Sequence, residues 1–152
     1  GNFEFRCNVK ATAGTGTWPS AAIWAVSNAL GALYPSTTNL HCMIYTKSGT
    51  YIGMDLIEMD SGNYYYTGLV TISLNTDYWV KIYRDESVGT YGTLYMKVYS
   101  DATFTTQVGA TKSLTLHSSK KDYRYVYGLG GSIYPDASPA SGYTKNLTVI
   151  AP

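Results

Sequence analysis

Phenylalanine, cysteine, histidine and charge are all scarce in this chain. Three phenylalanines stand against sixteen tyrosines among 152 residues, and charged residues make up 14%. The formal net charge of +1 argues against nucleic-acid binding, which normally needs a basic excess on one face. No apolar run reaches the roughly 18 residues of a membrane-spanning helix, so we expect no membrane insertion. We expect one domain over 1–152, excised from a larger protein, since the chain starts at Gly1 without methionine.

The excess of tyrosine over phenylalanine indicates aromatic surface that is packed on one side and wet on the other. A buried tyrosine needs a hydrogen-bond partner for its hydroxyl, so a dry core favours phenylalanine instead. Half-wet aromatic surface is typical of sugar-binding faces, paratopes and protein interfaces. It also occurs on exposed sheets, where cross-strand aromatic pairs only hold the strands together. Both interpretations stay open from composition alone.

The two cysteines and two histidines form no recognisable reactive centre. Cys7 and Cys42 each lie among alternating apolar residues, which favours two small buried side chains, with a disulfide as the alternative. Neither lies in a cluster with zinc-ligand spacing. No Gly-x-Ser-x-Gly motif accompanies His41 or His117. We expect His41 to pack at the core edge and His117 to be solvated in a polar turn.

Alternation of apolar and polar residues recurs along the whole chain and predicts strands. In the alanine-rich segment, Gly31 and the lack of an acidic first turn favour a strand at Ala21–Ser27 over a helix. Glycine-rich turns separate the segments, so an all-β sandwich or barrel is expected. The other predicted strands cover Phe3–Lys10, Leu40–Thr46, Tyr51–Glu58, Leu69–Leu74, Trp79–Tyr83, Leu94–Tyr99, Tyr123–Leu129 and Tyr143–Ile150.

The second half contains a predicted hairpin, Tyr78–Arg84 and Leu94–Asp101, followed by Leu114–Leu116, Tyr123–Tyr127 and Ser141–Leu147. These segments together resemble a laminin-G-like domain of the concanavalin A-like lectin/glucanase superfamily. Versions with a similar last strand are found in phage and metagenomic proteins. The resemblance implies an antiparallel two-sheet jelly-roll β-sandwich at an extracellular or virion surface, with glycan binding, glycan cleavage or adhesion as its function. Many members hold calcium, but no acidic loop here matches that site, so no cofactor is expected.

A glycoside hydrolase is the least favoured function. Glucanases of the superfamily use a strand with three acids, and Glu58 and Asp60 match the first two. The third acid is missing, because Gly62 and Asn63 follow. Without an acid/base partner the two-carboxylate mechanism is lost. We therefore expect no enzyme activity.

An aromatic face on the Trp79–Tyr83 and Leu94–Tyr99 hairpin is the stronger candidate site. If Val80 and Ile82 point into the core, the residues between them point outward, and the same holds on the next strand. Aromatic rings stack against sugar faces, while lysines and tyrosine hydroxyls bind sugar hydroxyls. The predicted site residues on this face are Trp79, Lys81, Tyr83, Tyr95 and Tyr99, next to Lys97.

Aromatic residues in loops form a second candidate patch. Trp18, Tyr34 and Tyr134 lie in glycine-, proline- and serine-rich stretches, and Tyr64–Tyr66 and Tyr91 lie in other predicted loops. Loops at the ends of a sandwich commonly carry recognition. The leading hypothesis is a non-catalytic domain that binds a glycan through exposed aromatic residues. The alternative is a structural adhesion domain of a virion or cell-surface protein, which uses the same face for a protein partner or for self-association.

Overall fold

The computed structural model describes residues 1–14, 20–30, 38–47, 51–60, 62–117, 123, 125–127, 130–132 and 140–150. These residues form twelve strands and no helix, so within them no helix is long and apolar enough to cross a membrane. The strands are β1 (Phe3–Gly14), β2 (Ser20–Ser27), β3 (Asn39–Lys47), β4 (Tyr51–Asp60), β5 (Asn63–Tyr66), β6 (Val70–Ile72), β7 (Tyr78–Asp85), β8 (Thr93–Tyr99), β9 (Gln107–Thr115), β10 (Tyr125–Tyr127), β11 (Gly130–Ser132) and β12 (Ala140–Ile150).

Two antiparallel sheets pack face to face as a sandwich, which confirms the all-β expectation. The five-stranded sheet has the order β12-β1-β7-β8-β9. The seven-stranded sheet has the order β10-β2-β3-β4-β5, with β11 also paired to β2 and β6 to β4. The strand predicted at Ala21–Ser27 is confirmed as part of β2. Tyr64–Tyr66, predicted to be a loop, forms β5 beside β4.

The core lies between the sheets and contains the predicted inward faces. Phe5 of β1 and Trp24 of β2 are each 1% exposed, and their ring centroids are 5.3 Å apart across the interface. Val80 and Ile82 of β7 are fully buried, as the alternation predicts. Burial of such side chains provides most of the stabilisation of a sandwich. The hairpin β7–β8 is thus fixed with one face inward.

The seven-stranded sheet is buried on both of its faces along β4. Met54 and Leu56 point into the core between the sheets. Ile57 and Met59, which alternate with them, are 0% and 1% exposed on the opposite face. A strand buried on both faces reads as a near-continuous apolar run, and Leu56–Ile57 belongs to such a run. The two sheets therefore differ on their outer faces. The five-stranded sheet is partly open there along β7, whereas the seven-stranded sheet is covered along β4.

Both cysteines are buried and free, which confirms the interpretation as small core residues and not the disulfide alternative. The Cys42 sulfur lies 3.4 Å from the sulfur of Met96 on the other sheet. Burial raises the pKa of the Cys7 thiol to about 12, and burial also raises that of Cys42. Neither thiol is available as a nucleophile at neutral pH.

Candidate functional site

The outer face of hairpin β7–β8 carries three cross-strand pairs, in the order predicted. Trp79 lies opposite Tyr99, Lys81 opposite Lys97, and Tyr83 opposite Tyr95. Exposure alternates strictly along β7, with the outward residues half-buried and the inward residues buried. Directly opposite residues on antiparallel strands share one face with Cβ atoms about 5 Å apart. The pattern therefore builds two aromatic rows with a row of lysines between them, which we call the hairpin face.

Tyr83 and Tyr95 stack on one another. Their ring centroids are 4.9 Å apart and the planes differ by 15°. The two inner ring faces cover each other, and the Lys81 Nζ lies 5.7 Å from the centroid of the Tyr83 ring, while both tyrosines keep partial exposure. Partial burial, and then the neighbouring Tyr95 and Tyr99, raise the pKa of Tyr83. The Tyr83 phenol is therefore a neutral hydrogen-bond donor and acceptor at physiological pH.

A charged network from β1, which was not predicted from the sequence, lies beside the hairpin face. The Glu4 carboxylate accepts hydrogen bonds from the Lys81 Nζ and from the Arg6 Nε, each at 2.6 Å. Partial burial raises the pKa of Glu4, but the hydrogen bonds from Lys81 and Arg6 outweigh it, so that pKa lies below its ordinary value. Glu4 and Arg6 pair with Tyr83 and Lys81 across β1 and β7. The alternation of residues on β1 predicts that Glu4 and Arg6 share one face of that strand. The sequence does not indicate that β1 neighbours β7.

Tyr99 faces outward as predicted, but it is only 8% exposed. Phe104 covers it, with ring centroids 5.4 Å apart in an edge-on arrangement. The backbone of Phe104 has a positive φ of 57°, and the Arg6 guanidinium lies 5.2 Å from the Phe104 ring. The expectation that Tyr99 offers an open ring is therefore corrected. On this face, the partly exposed aromatic residues are Trp79, Tyr83 and Tyr95.

The patch predicted on the loops is only partly described. Trp18, Tyr34 and Tyr134 lie outside the described residues, as does the side chain of His41. Tyr91 packs against the core. Tyr64 and Tyr66 are exposed, at 43% and 63%, with ring centroids 5.5 Å apart on β5.

A second polar cluster joins Glu58 to His117, and it changes the expectation for both residues. The buried Glu58 carboxylate accepts the His117 backbone N–H, at 3.0 and 3.2 Å from its two oxygens. It also lies 3.0 Å from the His117 Nδ1. The imidazole stacks on Tyr65 with ring centroids 3.6 Å apart and an interplanar angle of 6°. His117 is thus partly exposed, at 45%, but it is held in place and not simply solvated in a turn.

The same cluster bears on the glycosidase alternative. Glu58 would have to approach a sugar as nucleophile, yet its side chain is 2% exposed and both oxygens are engaged by His117. Burial, and next the charge of Glu58, raise the pKa of the adjacent Tyr123. This arrangement links β4 to the residues after β9 and leaves the Glu58 carboxylate buried. Among the described residues, no three histidine, cysteine or acidic side chains cluster as metal ligands.

Comparisons with family models, with curated proteins and with solved structures found no match to this chain. The resemblance to laminin-G-like domains therefore remains a prediction from the hairpin and its flanking strands.

Proposed function

We propose that this protein is a non-catalytic carbohydrate-binding domain with the jelly-roll topology of concanavalin A-like proteins, acting at an extracellular or virion surface. The observation that carries the proposal is the hairpin face, where Trp79, Tyr83 and Tyr95 are partly exposed beside Lys81 and Lys97. Aromatic and hydrogen-bonding groups occur there together, in rows whose two opposite members have Cβ atoms about 5 Å apart. A sugar ring offers both an apolar face and hydroxyls to such a surface.

Affinity electrophoresis through gels that contain single polysaccharides tests the proposal. Tyr95→Ala removes one ring of the stacked pair, and Trp79→Ala removes the indole of the other aromatic row. Tyr66→Ala is the matched control, since Tyr66 is a 63% exposed tyrosine on the other sheet. We expect Tyr95→Ala and Trp79→Ala each to weaken retardation by roughly tenfold in affinity, as the loss of a central aromatic contact does. Equal retardation of all three variants and the wild type would exclude the hairpin face as the site.

A second candidate function is protein adhesion or self-association, and the exposed apolar side chains of β12 favour it. Leu147, Val149 and Ile150 are 42%, 53% and 43% exposed on the strand next to β1. The register pairs Ile150 with Glu4, so Ile150 continues the outer surface next to the hairpin face. Sedimentation velocity tests the self-association. A stable oligomer that dissociates in Tyr95→Ala supports it, and a monomer at all concentrations argues against it.

A further inference from the structure

Two lysines directly oppose each other at the centre of the hairpin face. Lys81 and Lys97 pair across β7 and β8, between the row Tyr83–Tyr95 and the row Trp79–Tyr99. Like charges directly opposite on antiparallel strands destabilise a sheet. An anion between the two ammonium groups would offset this repulsion. The pair is therefore a place where the surface itself favours a negative ligand.

The nearest carboxylate does not neutralise this pair. Glu4 binds Lys81 at 2.6 Å, but it is shared with Arg6. Lys97 has no ion-pair partner among the described residues. The one negative charge of Glu4 thus faces the three positive charges of Arg6, Lys81 and Lys97. These three side chains follow one another across the sheet, because the register pairs Arg6 with Lys81 and Lys81 with Lys97.

Cations also dominate the rest of this sheet surface. Lys10 and Lys145 share its outer side, since they pair with Tyr143 and Asn8 across β1 and β12. The remaining acids are occupied at its ends, where Asp77 lies 3.5 Å from Lys10 and 2.7 Å from the Tyr143 hydroxyl. Asp85 accepts hydrogen bonds from the hydroxyl and the backbone N–H of Ser87. Among the described residues named on this surface, the cations outnumber the acids: Arg6, Lys10, Lys81, Lys97 and Lys145 stand against Glu4, Asp77 and Asp85.

We propose that the ligand of the hairpin face is an acidic oligosaccharide whose carboxylate or sulfate lies between Lys81 and Lys97. The inference rests on the proposed function and narrows its ligand class. Cβ atoms about 5 Å apart allow two ammonium groups to flank one anion, with charge-assisted hydrogen bonds from both sides. The sugar ring then lies against Tyr95 or Trp79, in the rows on either side. A neutral sugar would leave Lys97 without an anionic partner among the described residues.

The test compares ligands that differ only in charge. Polygalacturonate and its methyl ester share one sugar backbone, and only the first is charged. Dextran sulfate and dextran make the corresponding sulfated pair. Binding of each polymer is titrated by intrinsic fluorescence at about 50 and about 200 mM salt. We expect at least one charged polymer to bind roughly tenfold tighter than its neutral counterpart, with an affinity that falls as salt rises.

Two lysine variants locate the anion. Lys97→Met removes the charge and keeps the apolar stem, and Lys112→Met is the matched control on β9, opposite Met96 and outside the aromatic rows. We expect Lys97→Met to lose roughly tenfold in affinity for the charged polymer while Lys112→Met binds like the wild type. Lys97→Met is also expected to unfold at the same or a higher urea concentration, because a like-charge pair is removed.

The outcomes separate this inference from the proposed function. If neutral polymers bind as well as charged ones, and Tyr95→Ala but not Lys97→Met weakens binding, the face binds glycans and the acidic ligand class is wrong. If both lysine variants weaken binding equally, the attraction is a general effect of charge and the central anion position is wrong. If no polymer binds, the proposed function itself fails.

Discussion

Removal of the Glu58 charge is expected to destabilise the protein, because this carboxylate ties the two sheets together at one end of the sandwich. Glu58 lies on β4 of the seven-stranded sheet, and His117 follows β9 of the five-stranded sheet. Glu58→Gln preserves the shape of the side chain and one acceptor oxygen. The second oxygen becomes an amide donor that faces the His117 Nδ1, which is 3.0 Å away in the wild type.

The size of the effect follows from the hydrogen bonds that change. A bond to a charged group contributes roughly 1.5–3 kcal/mol and a neutral bond roughly 0.5–1.5 kcal/mol. In Glu58→Gln the His117 backbone N–H donates to a neutral amide oxygen instead of a carboxylate, so this hydrogen bond becomes a weaker, neutral one. The contact with the imidazole also loses its charged partner. That ring is 45% exposed, so solvent reduces its share. We expect the free energy of unfolding to fall by about 2 kcal/mol.

A double-mutant cycle measured by urea unfolding provides the assay. His117→Ala keeps the backbone donor but loses the imidazole and its stack on Tyr65, for which we expect a loss of about 1 kcal/mol. The double variant should show a coupling of about 0.5–1 kcal/mol between the two side chains. Glu4→Gln is the matched control, since Glu4 is a partly exposed acid with two cation partners. The reasoning is refuted if Glu58→Gln is no less stable than Glu4→Gln, or if the two single effects simply add.

Two further predictions concern other positions. Gly142→Ala is expected to lower the free energy of unfolding by roughly 1–3 kcal/mol, because a Cβ there would lie 2.3 Å from the Lys10 backbone oxygen. Thermal denaturation tests this, with Ser141→Ala as the control. Equal midpoints of the two variants would contradict it. The Thr103 hydroxyl, followed by backbone N–H groups, holds the pKa of Asp101 below its ordinary value, so its stabilisation is present above about pH 3.9 and lost as the pH falls through the lower folded pKa. Asp101→Asn should therefore lose less stability than the wild type between about pH 5 and about pH 2, as measured by urea midpoints, and parallel curves would argue against it.

The arrangement of the hairpin face was largely predictable from the sequence. Alternation on β7 and β8 identifies which side chains point outward, and the short connection between the strands makes them neighbours. The opposition of Lys81 and Lys97 follows once the register is known. The approach of Glu4 did not follow, because it depends on β1 joining the hairpin from the far end of the chain.

Most of the structural features that could not be predicted from the sequence are contacts between segments that are distant along the chain. Glu58 and His117 are 59 residues apart, and only the packing of the two sheets brings them together. Phe104 covers Tyr99 from a turn in which a non-glycine residue adopts positive φ, an uncommon conformation that no sequence pattern predicts here. The second buried face of β4 was hidden for a related reason, since a run of apolar residues does not say how many layers cover it.

The irregular pairing of β12 with β1 bears on how this molecule avoids aggregation. Asn146 and Leu147 together oppose Cys7, and the pairing shifts again near Thr12. Asn146 has a positive φ of 56°, so the strand bends at this point. A bent edge cannot continue a ladder of backbone hydrogen bonds with another molecule for more than a few residues. The exposed side chains of this strand are thus compatible with a monomer that does not extend its sheet at β12, and association of copies through this strand has to use side chains rather than the strand edge.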